Sequence, residues 1–395
     1  KEDALVMIKS MLEILHQNYW YKSNSLMGDT GQIIILGGSQ IDGTYFCNDL
    51  TMVFIEAIKE LNIPDPKVFL RVSNKMPREL MKVSLECIKT GVGCPLFSND
   101  DIIIPKLIKF GYSKENAYNY VTAACWEPTV CSCFMEQCNI DSLVYMEPFI
   151  AMFESEDISK VTSYQDLMVK YKKYLKDYVL KFLERVNNIK WDVDPILSLF
   201  TEICNKKEKD ITEVNYKNNC YGFTSVSLGN VVNSLYNLKK FVFIEKKYSL
   251  IELNEMRKNN FELNEDVLNE LKKQSVRYGV DDDELIGIAN EITDYVSSIL
   301  LTKRNSLGGK FKFGLSSPNY IVKSLDVSAS FDGRCNNDPF LVHISSDKNG
   351  LSYTELIQFA SKLKYDNNRI NGNVIDFMIT PSFIENNLRL LDEKV

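Results

Sequence analysis

The sequence carries no surplus of positive charge: 46 Lys and Arg stand against 53 Asp and Glu, a formal net charge of -7. Recognition of phosphates needs a basic excess, so neither nucleic acid nor an anionic membrane is expected as the main partner. A small molecule is the better expectation. No apolar run approaches the roughly 18 residues of a membrane span, and the first residues lack the charged and apolar regions of a signal peptide. The ten cysteines lack the dense, regular spacing of a small secreted disulfide scaffold, and a reducing cytoplasm is the expectation that fits. Cys131-Ser132-Cys133 with Cys138 is their densest cluster. It contains no Cys-x-x-Cys pair, and His16 and His343 are the only histidines, so packing is expected there rather than a thiolate metal site. Gly37-Gly38 and Gly308-Gly309 match neither the dinucleotide nor the P-loop fingerprint, and no bound nucleotide is expected.

What is present describes an ordinary globular chain. Its 395 residues are 45% hydrophobic and 25% charged, ample for a core, and no repeat or low-complexity linker interrupts them. Residues 1–395 are therefore read as a single structural piece. Short apolar strands alternate with longer amphipathic helices, the pattern of an α/β protein with parallel strands. Leu5, Ile8, Leu12 and Leu15 recur at helical spacing. Gln32 to Leu36 reads as a buried strand ending at Gly37-Gly38, and Val68 to Val72 as a second. Leu50, Phe54, Ile55, Ile58 and Leu61 place a helix between them, which makes a β-α-β unit. Ser163 and Asp166 resemble a capping box ahead of the stripe Leu167, Tyr171, Tyr174, Tyr178, Phe182 and Val186. A further helix covers about Asp283 to Leu301, while Asn205 to Asp210 and Asn259 to Lys273 read as solvated faces or loops.

Chemistry enters at Ala123-Ala124-Cys125-Trp126-Glu127-Pro128. In an extended loop, side chains two residues apart project to the same side, so the Cys125 thiol and the Glu127 carboxylate can face one pocket while Trp126 turns away. Pro128 restricts Glu127 to extended backbone. A sulfur that can exchange a hydrogen atom would then sit beside a carboxylate that can move a proton. On these six residues alone, a buried structural cysteine beside a solvated glutamate is the favoured reading.

The order of the surrounding segments resembles the pyruvate formate-lyase-like family of glycyl radical enzymes. Gly37-Gly38-Ser39-Gln40-Ile41-Asp42-Gly43 with Asn48 is similar to the family's strand-turn segment, and Arg71 with Pro77 to the next strand and its loop. Gly91-Val92-Gly93-Cys94-Pro95 with Asn99-Asp100 is similar to its G-x-G-x-P and N-D segment, and Cys125-Trp126-Glu127-Pro128 to its C-x-E-P loop. Tyr278-Gly279 with Asp281-Asp282, Gly308-Gly309, Ser330-Phe331-Asp332-Gly333-Arg334 and Asn371-Gly372 with Pro381 continue the series in order. Each is generic alone, and their collinearity carries the resemblance.

The resemblance implies part of a ten-stranded α/β barrel with surrounding helices, its cysteine loop at about 121–135 passing through the interior. It implies Cys125 as the residue that becomes a thiyl radical and Glu127 as its base, with Cys138 and Asn139 at pocket-lining positions where packing is an equal reading. Asn99, Asp100, Asp332 and Arg334 read as hydrogen-bonding and ion-pair struts. The family's Arg-Val-x-Gly-Tyr-like radical signature is absent, since neither Arg71-Val72 nor Arg185-Val186 continues into it. The N-terminal barrel part and the C-terminal glycyl radical domain are thus expected outside this chain, which opens at Lys1 already in a helical pattern. This chain would bind no cofactor itself. The radical would come from another segment or subunit, after activation by a radical S-adenosylmethionine enzyme in an oxygen-free compartment. The usual glycine before the cysteine is Ala124, and an asparagine common near Tyr278-Gly279 is replaced by Val280. Cys125 lacks the adjacent second cysteine of formate-lyase chemistry, and fumarate-adding members lack the glutamate. The expected reaction is a radical lyase step that eliminates water, an amine or sulfite from a small polar substrate. Decarboxylation of an arylacetate and a catalytically silent scaffolding relative are the alternatives.

Overall fold

The computed structural model describes residues 1–18, 32–123, 125–347 and 350–392. The chain forms two compact units, one of residues 1–131 with 378–395 and the other of residues 132–377. No composition shift marks the boundary at Cys131-Ser132, which is why the sequence reads as one piece.

The first unit opens with α1 (Glu2–Asn18), followed by β1 (Ile33–Leu36), the short strands β2 (Gly38–Ser39) and β3 (Tyr45–Phe46), and α2 (Asp49–Leu61). Then come β4 (Lys67–Val72), α3 (Arg78–Ile88), β5 (Leu96–Asn99), α4 (Asp100–Phe110), α5 (Lys114–Tyr118), β6 (Val121–Ala123) and β7 (Glu127–Thr129). β1 pairs parallel with β4 in the register Ile34 to Val68, and β4 pairs parallel with β5, so the expected β-α-β unit is present. β4 is central, and Val68, Phe69 and Leu70 are fully buried. β1 lies at the edge of this sheet, which leaves Ile33 to Ile35 half-buried where burial was expected. Gly37 takes φ +65°, and a Cβ there would stand 2.4 Å from the Tyr45 hydroxyl, so the turn after β1 requires glycine. Ile8 and Leu12 of α1 join Val53, Ile55 and Ile58 of α2 in one apolar cluster. Leu50, expected on the buried stripe, is 49% exposed.

The second unit contains β8 (Glu136–Val144), α6 (Met146–Ser155), α7 (Tyr164–Asn187), β9 (Cys220–Val226) and β10 (Phe311–Phe313), with further helices at Leu228–Leu238, Asp283–Leu301 and Tyr353–Lys362. β8 and β10 pair parallel on either side of β9, which is buried along its whole length. Phe223 stacks on Phe311 at 5.5 Å and meets Phe182 of α7 edge-on at 4.7 Å. Ser163 caps α7 by accepting the Asp166 N–H, but the Asp166 carboxylate reaches back to Thr162 rather than closing the reciprocal bond to Ser163. The centre of the α7 stripe lies at Leu175 and Val179, with Tyr174 and Tyr178 on its flank. Tyr178 accepts the Val144 N–H and Tyr174 donates to Glu156. The helix Asp283–Leu301 starts and ends as expected. The stretch 259–273 is solvated as expected except at Phe261 and Leu271, which fill a small core with Phe241 and Ala329.

The architecture is α/β, with two three-stranded parallel sheets and two two-stranded antiparallel pairs among the described residues. No closed barrel occurs among the described residues. No described helix is long and apolar enough to cross a membrane.

Candidate active site

β6 and β7 form an antiparallel hairpin with Ala123 opposite Glu127 and Thr122 opposite Pro128. Its tip is the three residues 124–126, of which Ala124 lies outside the described residues. Three-residue hairpin loops favour a left-handed residue at the third position, usually glycine. Here that position is Trp126, at φ +65°.

This turn brings Cys125 and Glu127 together by a different route from the extended loop expected. Cys125 and Trp126 are turn residues, so strict alternation of side chains does not apply. Instead the Glu127 carboxylate folds back and accepts the Cys125 backbone N–H at 2.5 Å. Glu127 is fully buried and stands in a strand, as the restriction from Pro128 requires, whereas Cys125 is half-buried and reachable. Trp126 turns away from both: its indole N–H donates to the Phe97 carbonyl of β5 at 3.3 Å, and its ring meets Phe69 of β4 edge-on at 5.3 Å.

The hairpin is moored to the sheet from beneath. The Ser98 and Thr122 hydroxyls are 2.9 Å apart, linking β5 to β6. At the entry to β6, the Arg71 guanidinium donates to the carbonyls of Tyr118 at 2.9 Å and Tyr120 at 3.3 Å. That guanidinium is paired in a fork with Asp100, at 2.9 Å from Nε and 3.1 Å from Nη2, and lies 4.2 Å from the centre of the Tyr120 ring. The Asp100 carboxylate also accepts the Tyr120 hydroxyl at 2.7 Å and the Ser39 N–H at 2.6 Å. Burial, with the Asp100 charge adding to it, pushes the Tyr120 phenol well above its ordinary range, so it stays protonated and can donate.

Among the residues read as struts, Asn99 caps α4 by accepting the Asp101 N–H, and Asp100 is the acceptor just described. Asp332 accepts the Ser330 hydroxyl and the Asn230 amide, and Arg334 donates to the carbonyls of Val327 and Asp338 with Phe340 beneath its guanidinium. Cys138 and Asn139 belong to the second unit, in the irregular stretch of β8 between Gln137 and Asp141. Cys138 is half-buried, and its carbonyl accepts the Asn371 side-chain amide at 2.7 Å, while Asn139 is exposed. Sequence reasoning missed Tyr120, Ser39 and the anchoring of Trp126. Their partners lie 20, 61 and 29 residues away, and no local pattern announces such pairs. Among the described residues no group of three or more His, Cys, Asp or Glu is placed to hold a metal ion.

A family profile described as Pyruvate formate lyase-like matches residues 3–322. The chain belongs to this family. It is 25% identical over 371 residues to trans-4-hydroxy-L-proline dehydratase of Clostridioides difficile, covering 88% of this chain and 47% of that protein. It is 26% identical over 349 residues to (2S)-3-sulfopropanediol dehydratase of Klebsiella oxytoca, covering 83% and 42% respectively. The solved B12-independent glycerol dehydratase of Clostridium butyricum superposes with a TM-score of 0.87 at 22% identity, over 98% of this chain and 53% of that one. That likeness establishes a shared fold. This family member spans about half the length of the curated relatives it matches.

Proposed function

We propose that this chain is the cysteine-bearing catalytic part of a glycyl radical lyase that eliminates water, an amine or sulfite from a small polar substrate. The observation that carries the reading is the buried Glu127 carboxylate folded onto the backbone of the half-buried Cys125 at the hairpin tip. Family membership and the two dehydratases among its relatives support elimination as the reaction class.

The glycyl radical supplied by another segment or subunit would take the hydrogen atom of the Cys125 thiol and so arm it. Cys125 then removes a hydrogen atom from a substrate carbon, forming the S–H bond as the C–H bond breaks. Glu127 accepts the proton of the hydroxyl on that carbon as the bond from the neighbouring carbon to the leaving group breaks, and that proton passes to the leaving group, which departs as water, amine or bisulfite and frees the carboxylate. Cys125 returns its hydrogen atom to the product carbon. The remaining strands of a ten-stranded barrel and a radical S-adenosylmethionine activating enzyme complete this reading.

The test is product formation by the assembled, anaerobically activated enzyme. Cys125→Ser abolishes turnover with assembly intact, and Glu127→Gln slows it by about 100-fold to 10,000-fold, the range for a lost general base. Full activity in Cys125→Ser overturns the proposal. So does a soluble monomer of this chain that turns over substrate with no added glycyl segment, as judged by native mass spectrometry.

A further inference from the structure

Trp126 breaks a local rule. The third residue of the hairpin tip is left-handed, a conformation glycine adopts freely and a bulky aromatic resists, yet the sequence places tryptophan there. Turn formation alone does not call for this residue. Its side chain does something a glycine cannot: the indole N–H reaches the Phe97 carbonyl on β5, and the ring edge packs on Phe69 of β4, whose side chain is fully buried. Both partners sit on adjacent strands of the parallel sheet, joined in the register Phe69 to Leu96. The tip is therefore pinned to a rigid platform at the residue that separates Cys125 from Glu127.

We infer that Trp126 is a positioning residue: by docking its indole on β4 and β5 it holds the Cys125 thiol and the Glu127 carboxylate in one fixed relation. This rests on the reading of Cys125 and Glu127 as the reacting pair. Without the anchor the turn still closes, but the tip swings independently of the sheet and the Glu127 carboxylate no longer stays under Cys125. A local rule broken at the one turn that carries the candidate chemistry is where a functional compensation is expected.

The experiment is a double-substitution cycle read as the rate of Cys125 alkylation by iodoacetamide, followed peptide by peptide by mass spectrometry on the 395-residue chain. In the Trp126 background, Glu127→Gln raises the Cys125 rate by about threefold or more, because a carboxylate opposes the thiolate that attacks the reagent. In Trp126→Gly, which suits the left-handed turn and deletes only the anchor, Glu127→Gln leaves the rate unchanged. Trp126→Phe keeps the edge contact and retains part of the coupling. A merely structural turn residue predicts the opposite, with Trp126→Gly preserving the full Glu127 effect, and that result overturns the inference. Cys87 and Cys94 of the same unit, both buried and with Cys87 pushed up to about 12 by burial, report unfolding by becoming reactive. If Trp126→Gly unfolds, Trp126→Phe decides, since undiminished coupling there overturns the role of the indole N–H. Alkylation requires no turnover, so an inactive assembly with intact coupling overturns the proposed function and leaves Trp126 as the positioning residue.

Discussion

Replacing Asp100 by asparagine tests how the hairpin is held. The carboxylate is fully buried and receives four donors, from Arg71 Nε and Nη2, the Tyr120 hydroxyl and the Ser39 N–H. An asparagine keeps the shape but turns one acceptor oxygen into a donor group, so either the second guanidinium bond and the Ser39 bond or the first guanidinium bond and the Tyr120 bond are lost. The guanidinium is left buried without a countercharge. Breaking a buried pair from one side costs about 3–5 kcal/mol, a large share of the roughly 5–15 kcal/mol that holds a domain together. At a factor of ten per roughly 1.4 kcal/mol, amide protection falls by about a hundredfold to a few thousandfold. Because the chain has two compact units, a single melting curve does not isolate the effect, and hydrogen exchange resolved by peptide does. Loss of protection is expected in peptides of 67–72 and 118–129, with the peptide of β9 at 220–226 unchanged. The double variant Arg71→Met with Asp100→Leu removes both charges and recovers much of the loss. Protection in Asp100→Asn within about threefold of the parent, a difference of well under 1 kcal/mol, would refute the account of Arg71 and Asp100 as the mooring of β6.

Two glycines separate backbone need from mere tolerance. A Cβ at Gly309 would stand 1.3 Å from the Asn219 carbonyl oxygen, so Gly309→Ala is expected to destabilise the second unit by about 1–3 kcal/mol or more in urea unfolding. Gly287, inside the helix Asp283–Leu301, meets nothing within 4 Å, so Gly287→Ala should stabilise by about 0.5–1 kcal/mol in the same assay, and a loss there would contradict the open surroundings. His343 supplies a pH dependence: its Nδ1 accepts the Ser317 N–H at 2.8 Å, and burial, partly offset by Asp376, holds it below its ordinary value. The unfolded chain then takes up the proton first, so stability is full above about pH 6.5 and falls as the pH drops through the lower folded value. His343→Asn should flatten that slope in urea titrations between about pH 5 and 7, and an unchanged slope would assign it to other groups.

The sequence by itself determined the class of the protein and many of its elements. Periodicity placed β1, β4 and the helix between them, and the helix at about 283–301, because these segments bury one face against a neighbour and carry that demand in their spacing. The order of short motifs from Gly37 to Pro381 carried the family. The same motifs named Cys125 and Glu127. How those two meet was decided only by the tertiary structure. The Glu127 carboxylate reaches Cys125 through a hairpin turn whose left-handed residue is a tryptophan, a choice local propensity argues against, and it is offset by Phe69 and Phe97 some 57 and 29 residues earlier in the chain. The partners of Asp100 in the mooring of β6, Arg71 and Tyr120, were likewise invisible, because groups brought together from a strand, a helix start and a loop leave no periodic trace. On α7, spacing marked the buried face, and the packing decided that Leu175 and Val179 stand at its centre.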